Sequence, residues 1–118
     1  MIIGVGIDLV DLARFERAVT RTPRLIERLF TEPERNASVQ SLAGKFAAKE
    51  AFVKALAGAD GMHWHEVTVN KRASGAPFLT LTGQTATVAA EAGIKNFHVS
   101  ISHDAGKAVA VVVADGGA

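Results

Sequence analysis

The chain has 118 residues, 48% of them apolar, and a formal net charge of +1. That is enough for one domain with a real core, and the composition is that of a folded globule rather than a disordered segment. It holds no cysteine, which excludes a disulfide framework, a thiolate zinc site and a Cys nucleophile, and its near-neutral balance argues against a strongly basic nucleic-acid binder.

No apolar run reaches membrane-spanning length, and the N-terminus passes directly into a strand pattern. The expectation is one cytoplasmic domain, 1–118, with no membrane association, internal repeat or interior linker. Ile2 to Ile7 is a short apolar run with two glycines and reads as a buried strand whose backbone is closely approached. Asp8 stands at its end. Asp11 suits the cap of a helix from about Leu12 to Val19, and Pro23 suits the first turn of a second helix through about Phe30. Across both, Arg14, Arg17, Arg21, Arg24 and Arg28 stand against Glu16 and Glu27, a local excess of three positive charges. Such a set is either a solvated helix face or a dock for an acidic partner.

Thr31 to Ser41 reads as a polar loop, with Ser38 a cap for the helix that follows. That helix, Leu42 to Leu56, is the centre of the chain. Leu42, Phe46, Val53 and Leu56 recur at helical spacing, Lys49 falls inside that stripe, and Glu50 and Lys54 are four apart beside Ala43 and Ala47. Covered on most sides, the helix must supply partners for these charges. One reading is an ion pair of Glu50 with Lys54, worth about 0.3–0.5 kcal/mol if exposed. The other is a functional site.

Gly58 and Gly61 end the helix. Glu66 to Lys71 and Phe78 to Thr82 read as strands around a Ser74–Pro77 turn. Thr85 to Ala92 reads as a helix stopped by Gly93. Phe97 to Ser102 alternates, with Phe97, Val99 and Ile101 on one face and His98, Ser100 and Ser102 on the other. A turn at 104–107 leads to an apolar strand, Ala108 to Ala114, and Asp115 to Ala118 reads as a frayed tail. The order predicts an α+β fold, a mainly antiparallel sheet packed with a long central helix and shorter helices. Ile2–Ile7 and Ala108–Ala114 are apolar on both faces. They are either interior strands or a surface for other copies of the chain.

Two carboxylates, Asp8 and Glu50, would suit a hard cation such as Mg²⁺ if the fold brought them together. Mg²⁺ takes many of its ligands from phosphates, and Lys49, Lys54 and His103 are the cations and donors at hand to meet them. Spacing alone does not show that Asp8 meets Glu50.

Four segments resemble the holo-acyl-carrier-protein synthase family, the small trimeric 4′-phosphopantetheinyl transferases. They are Gly6-Ile7-Asp8 with Arg14 following; Leu42-Ala43 through Phe46-Ala47-Ala48-Lys49-Glu50-Ala51 and Lys54-Ala55; Gly75 with Pro77; and Val99-Ser100-Ile101-Ser102-His103. They occur in family order across nearly the whole chain. The resemblance implies transfer of 4′-phosphopantetheine from coenzyme A to a serine of an apo acyl carrier protein or carrier domain, with release of adenosine 3′,5′-bisphosphate. It implies Asp8 and Glu50 as Mg²⁺ ligands, Glu50 and Lys54 as catalytic residues, and Lys45, Lys49, Lys54, Gly75, Pro77, Ser102 and His103 as coenzyme A contacts. It also implies Arg14, Arg21 and Arg24 as carrier contacts, and a homotrimer with active sites shared between subunits.

The chain departs from the family pattern in a polar segment before the central helix that is shorter than in many relatives, and at three single positions. Lys45 stands where arginine is usual, Ala76 where a lysine or arginine is common, and Thr68 where an acid is often found, with Glu66 two residues earlier. Two other readings compete: the same fold binding a nucleotide or a carrier without turnover, and a nucleic-acid binder using the arginine helices. The second is disfavoured by the low net charge and the lack of interleaved aromatics.

Overall fold

A computed structural model describes residues 1–58 and 60–117 of the chain. In order the elements are β1 (Ile2–Asp11), α1 (Leu12–Arg21), α2 (Arg24–Leu29), α3 (Glu32–Arg35), α4 (Val39–Ala55), a 3₁₀ turn (Trp64–Glu66), β2 (Val67–Lys71), β3 (Pro77–Leu81), α5 (Gly83–Glu91), β4 (Asn96–Asp104) and β5 (Lys107–Asp115). Every strand pairing is antiparallel: β1, β5 and β4 form one sheet with β5 in the middle, and β2 and β3 form a separate hairpin. The expected α+β class and both expected hairpins are present. Among the described residues, no helix is long and apolar enough to cross a membrane.

Most boundaries differ from the sequence reading by one to three residues, and two differences matter. The first strand runs past Ile7 to Asp11, because its register with β5 continues through Asp8↔Ala110 to Asp11↔Lys107. Asp8 therefore lies within a strand. The segment read as loop contains α3, started by a reciprocal capping box in which Thr31 and Glu34 satisfy each other's backbone amides. The tail is tied down as far as Gly117: the Met1 ammonium donates to Asp115 and Gly117, and the Gly116 amide donates to the Met1 carbonyl. Ala118 lies outside the described residues.

The core forms where α4 lies on one face of the three-stranded sheet. Ala43, Ala47, Ala51 and Ala55, each four residues apart, are fully buried there, and Ala108, Ala110, Val112 and Ala114 meet them from β5. Small side chains let the layers approach closely, and β1 supplies no side chain at the tightest points. A Cβ on Gly6 would sit 1.8 Å from the Ala51 carbonyl oxygen, and one on Gly4 2.1 Å from that of Ala55. The expected close backbone approach is real and is made by α4. Of the apolar stripe, Leu42 and Leu56 are buried and Phe46 packs against the core, whereas Val53 is exposed at 39%; the helix buries its alanine side as well.

Among the described residues, the opposite face of the sheet has no such cover. Val5, Ile7 and Leu9 of β1 are each more than half exposed, and their Cα partners on β5 are Val113, Val111 and Val109. The same three valines pair on β4 with His98, Ser100 and Ser102. The result is an aliphatic band over β1 and β5, with a polar margin on β4.

Candidate active site

The charges of α4 separate into two groups. Lys49 is fully buried, and its ammonium donates to the Leu29 carbonyl at 2.8 Å, the Glu34 carboxylate at 2.6 Å and the Trp64 carbonyl at 3.1 Å. Three acceptors around one nitrogen match the three donors of the charged form. Burial pulls the Lys49 pKa down, and the Glu34 carboxylate opposes that pull. Glu34 is equally engaged, accepting from the Thr31 amide and hydroxyl and from the Val69 amide at 2.7 Å. Lys49 therefore has no free donor for a phosphate. It binds α2, α3, β2 and the 3₁₀ turn to the central helix.

Glu50, one residue on, is only partly buried, and among the described residues its carboxylate has no hydrogen-bond or ion-pair partner. Burial first, and the Asp8 charge second, push its pKa above the ordinary 4.5; Lys54 pulls the other way. Asp8 reaches this place because it continues the side of β1 on which Gly4 and Gly6 meet α4. Lys54 pairs with Asp8 at 3.4 Å and donates to the Ile7 carbonyl at 2.8 Å, rather than closing the expected helical pair with Glu50. The fold thus brings together the two carboxylates that spacing alone could not connect.

Asp8 and Glu50 line a cavity of about 430 Å³ with Asp11, Arg14, Phe15, Phe46 and Trp64 among its walls. Phe46 packs on Phe15 with ring centroids 5.7 Å apart and on Trp64 at 5.8 Å, giving the acids an aromatic floor. The sequence reading missed this floor and also missed Glu34. The signal for Glu34 was present: Thr31-Glu32-Pro33-Glu34 has capping-box spacing with proline in the first turn.

A second cavity, about 530 Å³, opens between the start of α4, the β2 edge and the end of β4. Lys45, Lys71, Gly75, Pro77 and His103 line it, and among the described residues no carboxylate does. His103 fits there because α4 carries Gly44, where a Cβ would lie 2.9 Å from the imidazole Nε2. That nitrogen lies 2.9 Å from the Gln40 carbonyl, a pure acceptor, so Nε2 carries the proton, and Nδ1 has no partner among the described residues. Lys45 reaches the Glu34 carbonyl at 3.4 Å.

Of the coenzyme A set, Lys45, Gly75, Pro77 and His103 share this cavity, Lys54 stands with the acids, Lys49 is inside the core, and Ser102 is exposed on the outer face of β4. Arg14 lines the acidic cavity, and Arg21 and Arg24 are exposed. Glu66, weighed as a third acid, holds the start of α5: it accepts from the Gln84 and Thr85 amides and the Thr85 hydroxyl, which lower its pKa. Thr68 lines the cationic cavity.

Residues 4–112 match the family model of the 4′-phosphopantetheinyl transferase superfamily. The holo-[acyl-carrier-protein] synthase of Beutenbergia cavernae is 53% identical over 98% of this chain and 99% of its own length. Among solved structures, the holo-[acyl-carrier-protein] synthase of Neisseria meningitidis superposes with a TM-score of 0.88 at 30% identity, over 98% of this chain and 99% of that one. The Helicobacter pylori synthase, solved in complex with coenzyme A, gives a TM-score of 0.83 at 36% identity, over 94% of this chain and 99% of that one. With sequence and fold in agreement over nearly the full length, the chain belongs to the holo-[acyl-carrier-protein] synthase family of 4′-phosphopantetheinyl transferases.

Proposed function

We propose that this chain transfers 4′-phosphopantetheine from coenzyme A to a serine hydroxyl of an apo acyl carrier protein, with Mg²⁺, releasing adenosine 3′,5′-bisphosphate. The observation that carries the reading is the meeting of Asp8 with a Glu50 that has no protein partner among the described residues, beside Lys54. A half-buried carboxylate is expensive to keep ionised, and its open lone pairs are what a cation would fill. The donor set is all oxygen and fits Mg²⁺, which commonly takes one or two carboxylates and completes its shell with water and phosphate. Asp8 and Glu50 would hold the ion. When bound it would offset charge developing on the phosphate oxygens.

The chain's own groups have distinct tasks. Lys54, half-exposed and already held at Asp8, meets a pyrophosphate oxygen as a point charge. Glu50, which lines the cavity with Asp8, is the candidate to take a proton from the attacking serine, directly or through water. The aromatic floor of Phe15, Phe46 and Trp64 keeps that side of the cavity apolar. Arg14, at the cavity, and Arg21 and Arg24, exposed on the following helices, form the dock for an acidic carrier.

The cationic cavity takes the nucleotide half of coenzyme A. Within one chain, the acids and this cavity are lined by entirely different residues. The bare aliphatic band on β1 and β5 supports a homotrimer in which one subunit supplies Asp8, Glu50 and Lys54 and its neighbour supplies the nucleotide pocket. The decisive experiment is mass spectrometry of an apo carrier protein incubated with coenzyme A, with and without Mg²⁺. A gain of one phosphopantetheine group only with Mg²⁺ is expected, and no gain across a panel of carriers would overturn the reading. Glu50→Ala chains mixed with chains altered at Lys45 should recover activity if sites are shared; mixtures no more active than their components would reject sharing.

A further inference from the structure

Helix α2 carries part of the proposed carrier dock, yet its own sequence gives it little hold on a helical shape. It has six residues, Arg24–Leu29, and begins on Pro23 without a side-chain cap. A helix of that length is not stable alone. Several features depend on where it lies. Arg24 is exposed on its first turn, and Leu25 and Leu29 form part of the acidic cavity's wall. Phe30, which follows it, packs edge-on against Phe15 of the aromatic floor, with ring centroids 6.4 Å apart.

The last carbonyls of a helix have no partner within it. Here three nitrogen-bearing side chains reach them from later elements. Arg35 of α3 donates from Nε to the Phe30 carbonyl at 3.0 Å and from Nη2 to the Glu27 carbonyl at 3.1 Å. The Nε2 of His65, in the 3₁₀ turn, lies 2.5 Å from the same Glu27 carbonyl, and Lys49 donates to the Leu29 carbonyl. Lys49 also serves Glu34 and Trp64, so it holds several elements at once. Arg35 differs from it. Both of its bonds go to the end of α2, and among the described residues its guanidinium pairs with no carboxylate.

A planar fork that spans two carbonyls fixes the direction of a helix end as well as its position, and a cation there complements the helix dipole. The fork stands on a firm base. Arg35 follows Glu34, whose carboxylate is tied to Lys49 and to the Val69 amide. We propose that Arg35 is a positioning residue for the carrier: it holds α2 in the one arrangement in which Arg24 and the Leu25 wall meet a docked carrier, without touching the carrier itself. The proposal rests on the reading of α1 and α2 as the carrier dock, and its test separates the two.

Steady-state kinetics of the whole protein with an apo acyl carrier protein, at low and high salt, together with amide hydrogen exchange across α2, decide the matter. Arg35→Ala should exchange faster at α2 and raise the KM for carrier about tenfold, the scale of one lost hydrogen bond from a charged donor. Its kcat and its KM for coenzyme A should stay at wild type. The rise should be the same at both salts, because the bonds lost are short contacts within the chain. Arg24→Glu, which alters an exposed charge, should raise the same KM by a factor that shrinks with salt. Arg35→Lys keeps the cation and loses the fork, so it should fall between wild type and Arg35→Ala. Unchanged exchange at α2, an unchanged KM for carrier, or a rise that salt abolishes would overturn the positioning role. So would a parallel loss for carrier and coenzyme A, which would make Arg35 a general stabiliser. A wild-type KM for carrier in Arg21→Glu and Arg24→Glu alike would overturn the docking reading itself, and the proposal with it.

Discussion

Lys49 and Glu50 are consecutive residues of α4, and their charges meet opposite fates. Lys49 is enclosed, with each of its three hydrogens given to an acceptor, and the carboxylate it meets is itself saturated by Thr31 and Val69. Glu50 faces a cavity with another acid nearby and no partner to quiet it among the described residues. A single step along the helix turns the side chain through about a quarter of the circumference, and that is enough to separate architecture from chemistry. A charge with filled valences holds the fold, whereas a charge with open valences is available to a substrate or ion.

The contrast breaks most sharply at Glu50. Glu50→Gln keeps the volume and removes the charge, so turnover should fall on the order of 10³-fold, equivalent to several kcal/mol, while the fold survives. Its stability should move the other way. The folded chain holds the Glu50 proton to higher pH than the unfolded chain does, so this group subtracts stability as pH rises above 4.5 through the raised value. In Mg²⁺-free buffer Glu50→Gln should melt higher than wild type at pH 7, with the difference vanishing below pH 4.5. A variant that is both active and no more stable would remove Glu50 from the chemical side of the comparison.

Lys49→Met tests the architectural side. It strands Glu34 and two backbone carbonyls in the core, and breaking a buried pair costs roughly 3–5 kcal/mol, a large part of a stability of about 5–15 kcal/mol. Urea unfolding should show a much lower midpoint, and an unchanged midpoint would sink the structural role.

Gly6→Ala acts on both sides at once. The new methyl must displace the Ala51 carbonyl, at about 1–3 kcal/mol of overpacking, and moving α4 off β1 draws Glu50 away from Asp8. Melting temperature and turnover should fall together; wild-type turnover would mean that the helix is not held where the acids need it.

The smallest effect is expected at the exposed arginines. Arg14→Glu or Arg21→Glu should raise the KM for carrier and leave that for coenzyme A unchanged, with carrier affinity weakening as salt screens charges over roughly 8–10 Å. Carrier affinity independent of salt would argue against docking through this face.

Much of the fold was legible in the sequence because it rests on local patterns. The alternation of Phe97 to Ser102, the turn residues of the hairpins and the caps Asp11 and Ser38 each announce an element. Asp8, Glu50 and Lys54 could each be singled out in the sequence as candidates, but not their grouping. Nothing in the spacing of Asp8, Glu50 and Lys54 reveals that Lys54 turns to Asp8, or that Lys49 is enclosed by a glutamate fifteen residues earlier. Pairing of charges is tertiary information, decided by which faces α4 and β1 present to each other. The α3 helix is a different case. Its capping box was readable, but a four-residue helix offers no apolar periodicity against which to see it.

The bare aliphatic band on β1 also has a consequence for the life of the newly made chain. β1 is the edge of its sheet, so Val5, Ile7 and Leu9 stand beside a row of backbone groups that pair with no further strand of the sheet. An apolar edge of this kind is a template for the wrong neighbour as well as the right one. Under the proposed trimer, the folded single chain is a transient to be captured, and two processes of opposite outcome compete for it, both accelerating with concentration. Yield in the cell becomes a matter of kinetics: capture by the proper partner surface has to outrun edge-to-edge misassembly, and slowing the first has the same result as speeding the second.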